Sequence, residues 1–108
     1  ELSGGMKKRI GIARAIAIQP SYLFYDEPTT GLDPVMTDSI NRLILKIQEN
    51  EKITSVIITH ELRTVYEVAD RVIMLHDGRI EFDGKPNDLE KTENKIVKQF
   101  ITGDSTLV

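Results

Sequence analysis

The chain has no cysteine and no tryptophan, and aromatic side chains make up only 6% of its 108 residues. Without cysteine there is neither a disulfide framework nor a thiolate metal site, a composition that suits a reducing compartment. Long apolar runs are missing as well. The longest uncharged ones, 21–25 and 53–59, fall far short of the roughly 20 residues a membrane helix needs, and no signal-peptide pattern is visible. Neither sign of charge dominates: 14 Lys and Arg against 17 Asp and Glu leave −3, no field for nucleic acid or an anionic membrane surface. The nearest basic cluster, Lys7, Lys8, Arg9 and Arg14, is too small to act as a tail. What is present is 40% hydrophobic and 29% charged residues, an ordinary globular mixture with enough apolar mass for one modest core.

Helix-like and strand-like segments alternate along it. Met6, Ile10, Ala13 and Ala17 fall at helical spacing, and Gln19-Pro20 ends that helix because a residue before proline is pushed out of the α region. "SYLFY" (21–25) predicts a short buried strand. A second helix is expected over 34–50, capped by Asp33 with Pro34 at its first position. The β-branched run 53–59 predicts a strand covered on both faces. A helix over about 62–69 follows, then a hairpin of 72–76 with 79–82 across Asp77-Gly78. A helical turn near 87–90, a terminal helix over 93–101 and a frayed "TGDSTLV" complete the chain. The expected fold class is therefore α/β: parallel strands with helical crossovers, and a terminal β-hairpin adding an antiparallel edge.

In open sheets of this kind, ligands bind outside the carboxyl ends of the strands. The two unusual strand ends are Tyr25-Asp26-Glu27 and Thr59-His60-Glu61. Two adjacent carboxylates repel unless a cation is near, and hydrated Mg²⁺ takes one or two carboxylates together with phosphate oxygens. Because neighbouring strand residues point oppositely, one acid would hold metal while the other faces a reacting water. Taken alone, the pair equally describes a strand ending in two solvated acids. Ser3-Gly4-Gly5 stands before a helix, where Ser3 can cap it and the glycines let backbone N–H groups approach an anion; a plain N-cap explains the same residues. His60 can likewise be a helix cap. A zinc-protease reading of "HELRT" fails, since Thr64 stands where the second histidine is needed. His76, at a hairpin end, receives no role.

The stretch "LSGGMKKRIGIARA" resembles the signature loop and helix of ATP-binding-cassette (ABC) ATPases. "YLFYDEPTTGLDP" is similar to that family's Walker B strand, catalytic glutamate and D-loop in one string, "VIITHEL" to its switch-histidine loop, and "ADRVIMLHDGRIEFDG" to its closing strands. These four ordered motifs span nearly the whole chain. The resemblance implies that Asp26 holds Mg²⁺ through water, that Glu27 orients and deprotonates the attacking water, and that His60 contacts the γ-phosphate of ATP. It also implies that Asp33 contacts an opposite subunit, and that Ser3, Gly4, Gly5 and the residue at position six, here Met6, face a nucleotide held by that subunit. Two such domains pack head to tail as a homodimer on a transmembrane permease, which places them on the cytoplasmic face of the inner membrane.

No G-x-x-x-x-G-K-[ST] occurs, so the phosphate-cradling Walker A loop is missing. Residues 1–108 are thus expected to form the C-terminal part of one nucleotide-binding domain, inactive alone and exposing core surface and a strand edge. Position six is glutamine in the general family. "LSGGMKKR" and the tail "IVKQFITGD" look instead like the Mla/Mce-type phospholipid transporter ATPases, which implies a lipid cargo and a Mce-type substrate-binding partner. An ATPase of another importer or exporter, or a soluble one acting in DNA repair or translation, is the alternative; the negative charge and lack of a coiled-coil insertion disfavour the soluble branch.

Overall fold

The computed structural model describes residues 3–107, with side chains through residue 106. Glu1 and Leu2, which begin the signature-like stretch, and Val108 lie outside the described residues. Two compact units divide the chain, Glu1–Thr64 and Val65–Val108.

In the first unit, α1 (Gly4–Ala17) is followed by β1 (Tyr22–Asp26), α2 (Pro34–Asn50) and β2 (Thr54–Ile58). Helix α1 begins two residues before the predicted Met6. The Ser3 hydroxyl accepts from the Met6 N–H at 3.1 Å, and this cap draws both glycines into the first turn despite their poor helix propensity. The helix ends at Ala17, and Gln19, two residues on, takes a φ of 53° in the left-handed region before Pro20. Helix α2 starts where proline at the first position and an aspartate cap predict: Asp33 Oδ1 accepts from the Met36 N–H at 2.8 Å.

Strands β1 and β2 pair in parallel, with Tyr22 opposite Thr54 through to Asp26 opposite Ile58. Parallel pairing brings their carboxyl ends to the same edge. Side chains alternate, so Leu23 and Tyr25 are buried while Tyr22 and Phe24 are 68% and 69% exposed. On β2, Val56 and Ile58 are exposed too, so neither strand is covered on both faces as the apolar runs suggest. The two long helices of this unit make one layer, with Ile12, Ile40, Ile44 and Ile47 buried, and one layer shields only one sheet face.

The short helix α3 (Leu62–Val68) leads into the second unit, where β3 (Val72–His76) and β4 (Arg79–Gly84) form the expected hairpin. Asp77 and Gly78 both take positive φ, 47° and 75°, as a tight hairpin turn requires. The hairpin is a two-stranded sheet of its own among the described residues and does not extend the β1–β2 pair. The turn satisfies β3 locally with β4, and its pattern says nothing about which further edge it borders. A 3-10 turn (Pro86–Lys91) and α4 (Lys95–Thr102) follow. Asn94 caps α4, accepting from the N–H groups of Ile96 and Val97 at 2.9 and 3.2 Å, and Val97 is fully buried. The tail read as frayed forms a further 3-10 turn, Ser105–Leu107, capped by Asp104 Oδ1 accepting from the Thr106 N–H at 2.9 Å.

Candidate functional site

The parallel register dictates where chemistry can gather. Asp26 closes β1 opposite Ile58, and one residue on the Glu27 N–H still donates to the Ile58 carbonyl at 2.7 Å. Beyond that bond Glu27 leaves the strand with φ at 48°, a left-handed conformation that costs a non-glycine residue about 1 kcal/mol or more. Its carbonyl accepts from the Thr30 N–H at 3.3 Å and from Lys8 Nζ of α1 at 3.1 Å. The strained turn is thus held at both its amide and its carbonyl, and the side chain is aimed across to the loop after β2.

There it meets His60. Nδ1 of His60 lies 3.1 Å from each oxygen of the Glu27 carboxylate, and Thr30 Oγ1 donates to Oε2 at 2.9 Å. An ionised carboxylate only accepts, so the proton sits on Nδ1. The hydrogen bond from His60, and after it that from Thr30, hold the Glu27 carboxyl below its ordinary pKa. The same bond to Glu27 raises His60, aided by the carboxylate charges of Glu27 and of Glu61, whose Oε1 is 3.8 Å from Nε2. A carboxylate held in place by the His60 ring N–H and the Thr30 hydroxyl is positioned to accept a proton from water. The His60 ring does not cap α3: its Nδ1 faces Glu27, and among the described residues it accepts from no N–H of that helix.

Asp26 and Glu27 have different surroundings, separated by the left-handed turn at Glu27 as well as by strand alternation. The Asp26 carboxylate is exposed and has no hydrogen-bond or ion-pair partner among the described residues. No cluster of three or more acidic, histidine or cysteine side chains that could hold a metal occurs among them either. A lone solvated carboxylate fits hydrated Mg²⁺ completed by phosphate oxygens, and does not fit an all-protein cage.

The glycines before α1 answer to packing as well as to any anion. A Cβ on Gly5 would fall 1.8 Å from Met36 Cε, and one on Gly4 3.3 Å from Leu32 Cδ2, so a side chain at either position would force the end of Met36 or Leu32 to shift. In the first turn the Met6 N–H is spent on Ser3 Oγ and the Lys7 N–H on the Ser3 carbonyl at 3.0 Å. The N–H groups of Gly4 and Gly5 have no intrahelical acceptor, as at any helix start. Met6 is about half exposed. Among the described residues no hydrogen bond joins Ser3, Gly4, Gly5 or Met6 to Glu27 or His60; their near neighbour is the segment that begins α2 at Asp33. The expected residues therefore form two groups: Asp26, Glu27 and His60 at the strand ends, and Ser3 to Met6 beside Asp33.

Sequence reasoning missed Lys8 and Thr30, which hold the Glu27 turn. Thr30, three residues after an acid in a turn, carried a local signal. Lys8 carried none, since its partner is a backbone carbonyl 19 positions away.

Comparison with known proteins now adds to this geometry. The family model described as ABC transporter matches residues 1–30. The methionine import ATP-binding protein MetN of Staphylococcus saprophyticus is 44% identical over 105 residues, 96% of this chain and 31% of its own length. That of Carboxydothermus hydrogenoformans is 46% identical over 102 residues, 94% of this chain and 30% of its own. Among solved structures, cbiO1 from Clostridium perfringens, part of the ABC transporter complex cbiONQ, superposes with a TM-score of 0.77 at 35% identity, covering 93% of this chain and 40% of that one. An ABC transporter in an inward-facing conformation gives 0.79 at 26% identity, covering 94% and 40%. The chain spans about a third of the length of the curated relatives it matches. Its fold is the α/β fold of ABC ATPases, and over nearly all its length it is similar to one part of the ATP-binding protein of an ABC transporter.

Proposed function

We propose that these residues are the C-terminal part of a nucleotide-binding domain that hydrolyses ATP to ADP and phosphate and thereby drives an ABC transporter. The observation that carries this reading is the Glu27–His60 pair at the carboxyl ends of two parallel strands. Glu27 takes the proton of the attacking water, and His60, once released toward a γ-phosphate, offers that phosphate its ring N–H. Asp26 would hold Mg²⁺, which supplies charge neutralisation on the phosphate oxygens. With metal and base in place, phosphoryl transfer asks mainly for positioning, which the bonds of Lys8 and Thr30 to Glu27 provide.

The free N–H groups of Gly4 and Gly5, with Ser3, suit a phosphate approaching the positive end of α1. Among the described residues they make no hydrogen bond to Glu27 or His60, and we read them as facing the nucleotide of a second copy packed head to tail. Asp33 would face that copy too while still capping α2. Among the described residues no helix is long and apolar enough to cross a membrane, which fits attachment at the cytoplasmic face through a permease partner.

For cargo, the relatives named above favour an importer of a small solute such as methionine. Met6 and the run "LSGGMKKR" are what favour phospholipid and a Mce-type partner instead, and the named relatives add nothing to that reading. In the full-length protein assembled with its permease, Glu27→Gln is expected to bind ATP but to lose turnover by roughly 100-fold or more. Steady-state ATPase measurements test this, and wild-type turnover in the variant would remove Glu27 as the base. Transport of labelled methionine against labelled phospholipid by the same assembly separates the two cargoes.

A further inference from the structure

Three polar side chains are among the most deeply buried in the chain: Asn41 at 0%, Thr64 at 1% and Thr29 at 2% exposure. They touch one another. Thr64 Oγ1 donates to Asn41 Oδ1 at 3.1 Å, and Thr29 Oγ1 lies 3.3 Å from Thr64 Oγ1. A threonine hydroxyl has one hydrogen. With that of Thr64 committed to Asn41, Thr29 must be the donor in the second contact, so the chain runs in one direction from Thr29 through Thr64 to Asn41.

Each member belongs to a different segment. Thr29 is two residues after Glu27, in the turn that leaves β1; Thr64 is four residues after His60, on α3; Asn41 is in the middle of α2. The β ladder controls the two strand ends only as far as the Glu27 amide bonded to the Ile58 carbonyl. Past that point no backbone–backbone hydrogen bond joins the Glu27 turn to the His60 loop among the described residues. Their direct contact is too exposed to hold itself, with 62% of the His60 side chain and 36% of the Glu27 side chain accessible, and exposed ion pairs contribute little. The buried chain is the opposite case, since a buried polar group that loses its partner is penalised in full. Asn41, inside a helix whose neighbours Ile40 and Ile44 are fully buried, gives the two threonines a fixed anchor.

We propose that Thr29, Thr64 and Asn41 are positioning residues that set the separation of the Glu27 turn from the His60 loop, and so the alignment of the base with its histidine. The inference rests on the reading of Glu27 as the base. None of the three reaches the reacting atoms.

The test uses the full-length ATPase with its permease. Thr64→Val keeps the volume and removes the hydroxyl, whereas Thr64→Ser keeps the hydroxyl. Thr64→Val is expected to lower kcat roughly 10-fold to 100-fold, the size of effect a displacement of about 1 Å produces, with KM for ATP changed less than about twofold. Thr64→Ser should restore most of the turnover. If Thr64→Val does not accumulate as folded protein, Thr29→Val removes the first donor and is read the same way. A wild-type kcat in a folded valine variant overturns the proposal, as does a loss of kcat that tracks a fall in Tm and is not restored by serine. Glu27→Gln, assayed in parallel, separates the failures. If it turns over normally, the reading of Glu27 has failed; if it is inactive while Thr64→Val is normal, only the positioning proposal has.

Discussion

Glu27 carries two burdens at once, a backbone in the left-handed region and a carboxylate committed to His60. The backbone burden is testable apart from the chemistry. Glycine takes a positive φ freely while alanine does not, so Glu27→Gly should be more stable than Glu27→Ala by about 1 kcal/mol even after glycine's larger unfolded-state entropy is counted. Urea unfolding of the two variants decides this, and an alanine variant equal to or more stable than the glycine one would show that the turn relaxes. The carboxylate burden has a pH signature. Glu27 is lowered, so its ionised contact persists above its ordinary range and is lost as pH falls through the lowered value. His60 is raised, so its protonated contact is complete below the usual imidazole range and is lost as pH rises through the raised value. The pair is intact between those two limits. His60→Ala removes the largest cause of the Glu27 shift, so the Glu27 carboxyl should then titrate at higher pH, as NMR of the side-chain carboxyl carbon would follow. An unchanged midpoint would assign the shift to Thr30.

Among the elements, the packing of α1 against the start of α2 turns on a missing atom. Gly5→Ala puts a methyl where Met36 Cε now lies. The methionine end is flexible, so the cost should be modest, about 1 kcal/mol of overpacking. In the Gly5→Ala/Met36→Ala double variant the two effects should sum to less than the singles, because the added methyl fills space the methionine vacates. Denaturant midpoints for the four proteins of that cycle measure the coupling, and simple additivity would mean the two residues do not share the space. The same elements indicate what can be read without coordinates. Asp33-Pro34 and Asp77-Gly78 were readable because their information is local: a cap, a fixed φ and two left-handed residues each act within a few positions. The start of α1 was placed two residues late because the apolar spacing begins at Met6, even though Ser3 was legible as a cap. Exposure on β2 was unreadable because an apolar run records what a strand can bury, and the number of layers over it is decided elsewhere. Of the candidate site, Asp26, Glu27 and His60 were visible as strand ends, whereas the Lys8 bond and the Thr29–Thr64–Asn41 chain join residues 19 to 35 positions apart and leave no local trace.

At the scale of the whole molecule, two surfaces carry expectations. The Tyr22, Phe24, Val56 and Ile58 face of the first unit is apolar and open. A serine at Phe24 should therefore make residues 1–108, expressed alone, more soluble by light scattering, and unchanged aggregation would show that another surface drives it. The start of α1 bears on assembly. Ser3→Arg sets a long side chain beside the Gly4 and Gly5 N–H groups, and in the full-length protein it is expected to abolish ATP-dependent dimerisation while sparing ATP binding. Size-exclusion chromatography with the Glu27→Gln background, which keeps nucleotide bound, measures it; normal dimerisation would count against a role for Ser3 toward a second copy.

The parallel register also sets an order of events in folding. Tyr22 cannot pair with Thr54 until α2 has been traversed, and that loop must close before any ladder bond rewards it. His76 and Arg79 pair across two residues, on the microsecond scale of a local hairpin. The hairpin is therefore expected to form ahead of the edge that carries Glu27 and His60, which waits on closure of the long loop between β1 and β2.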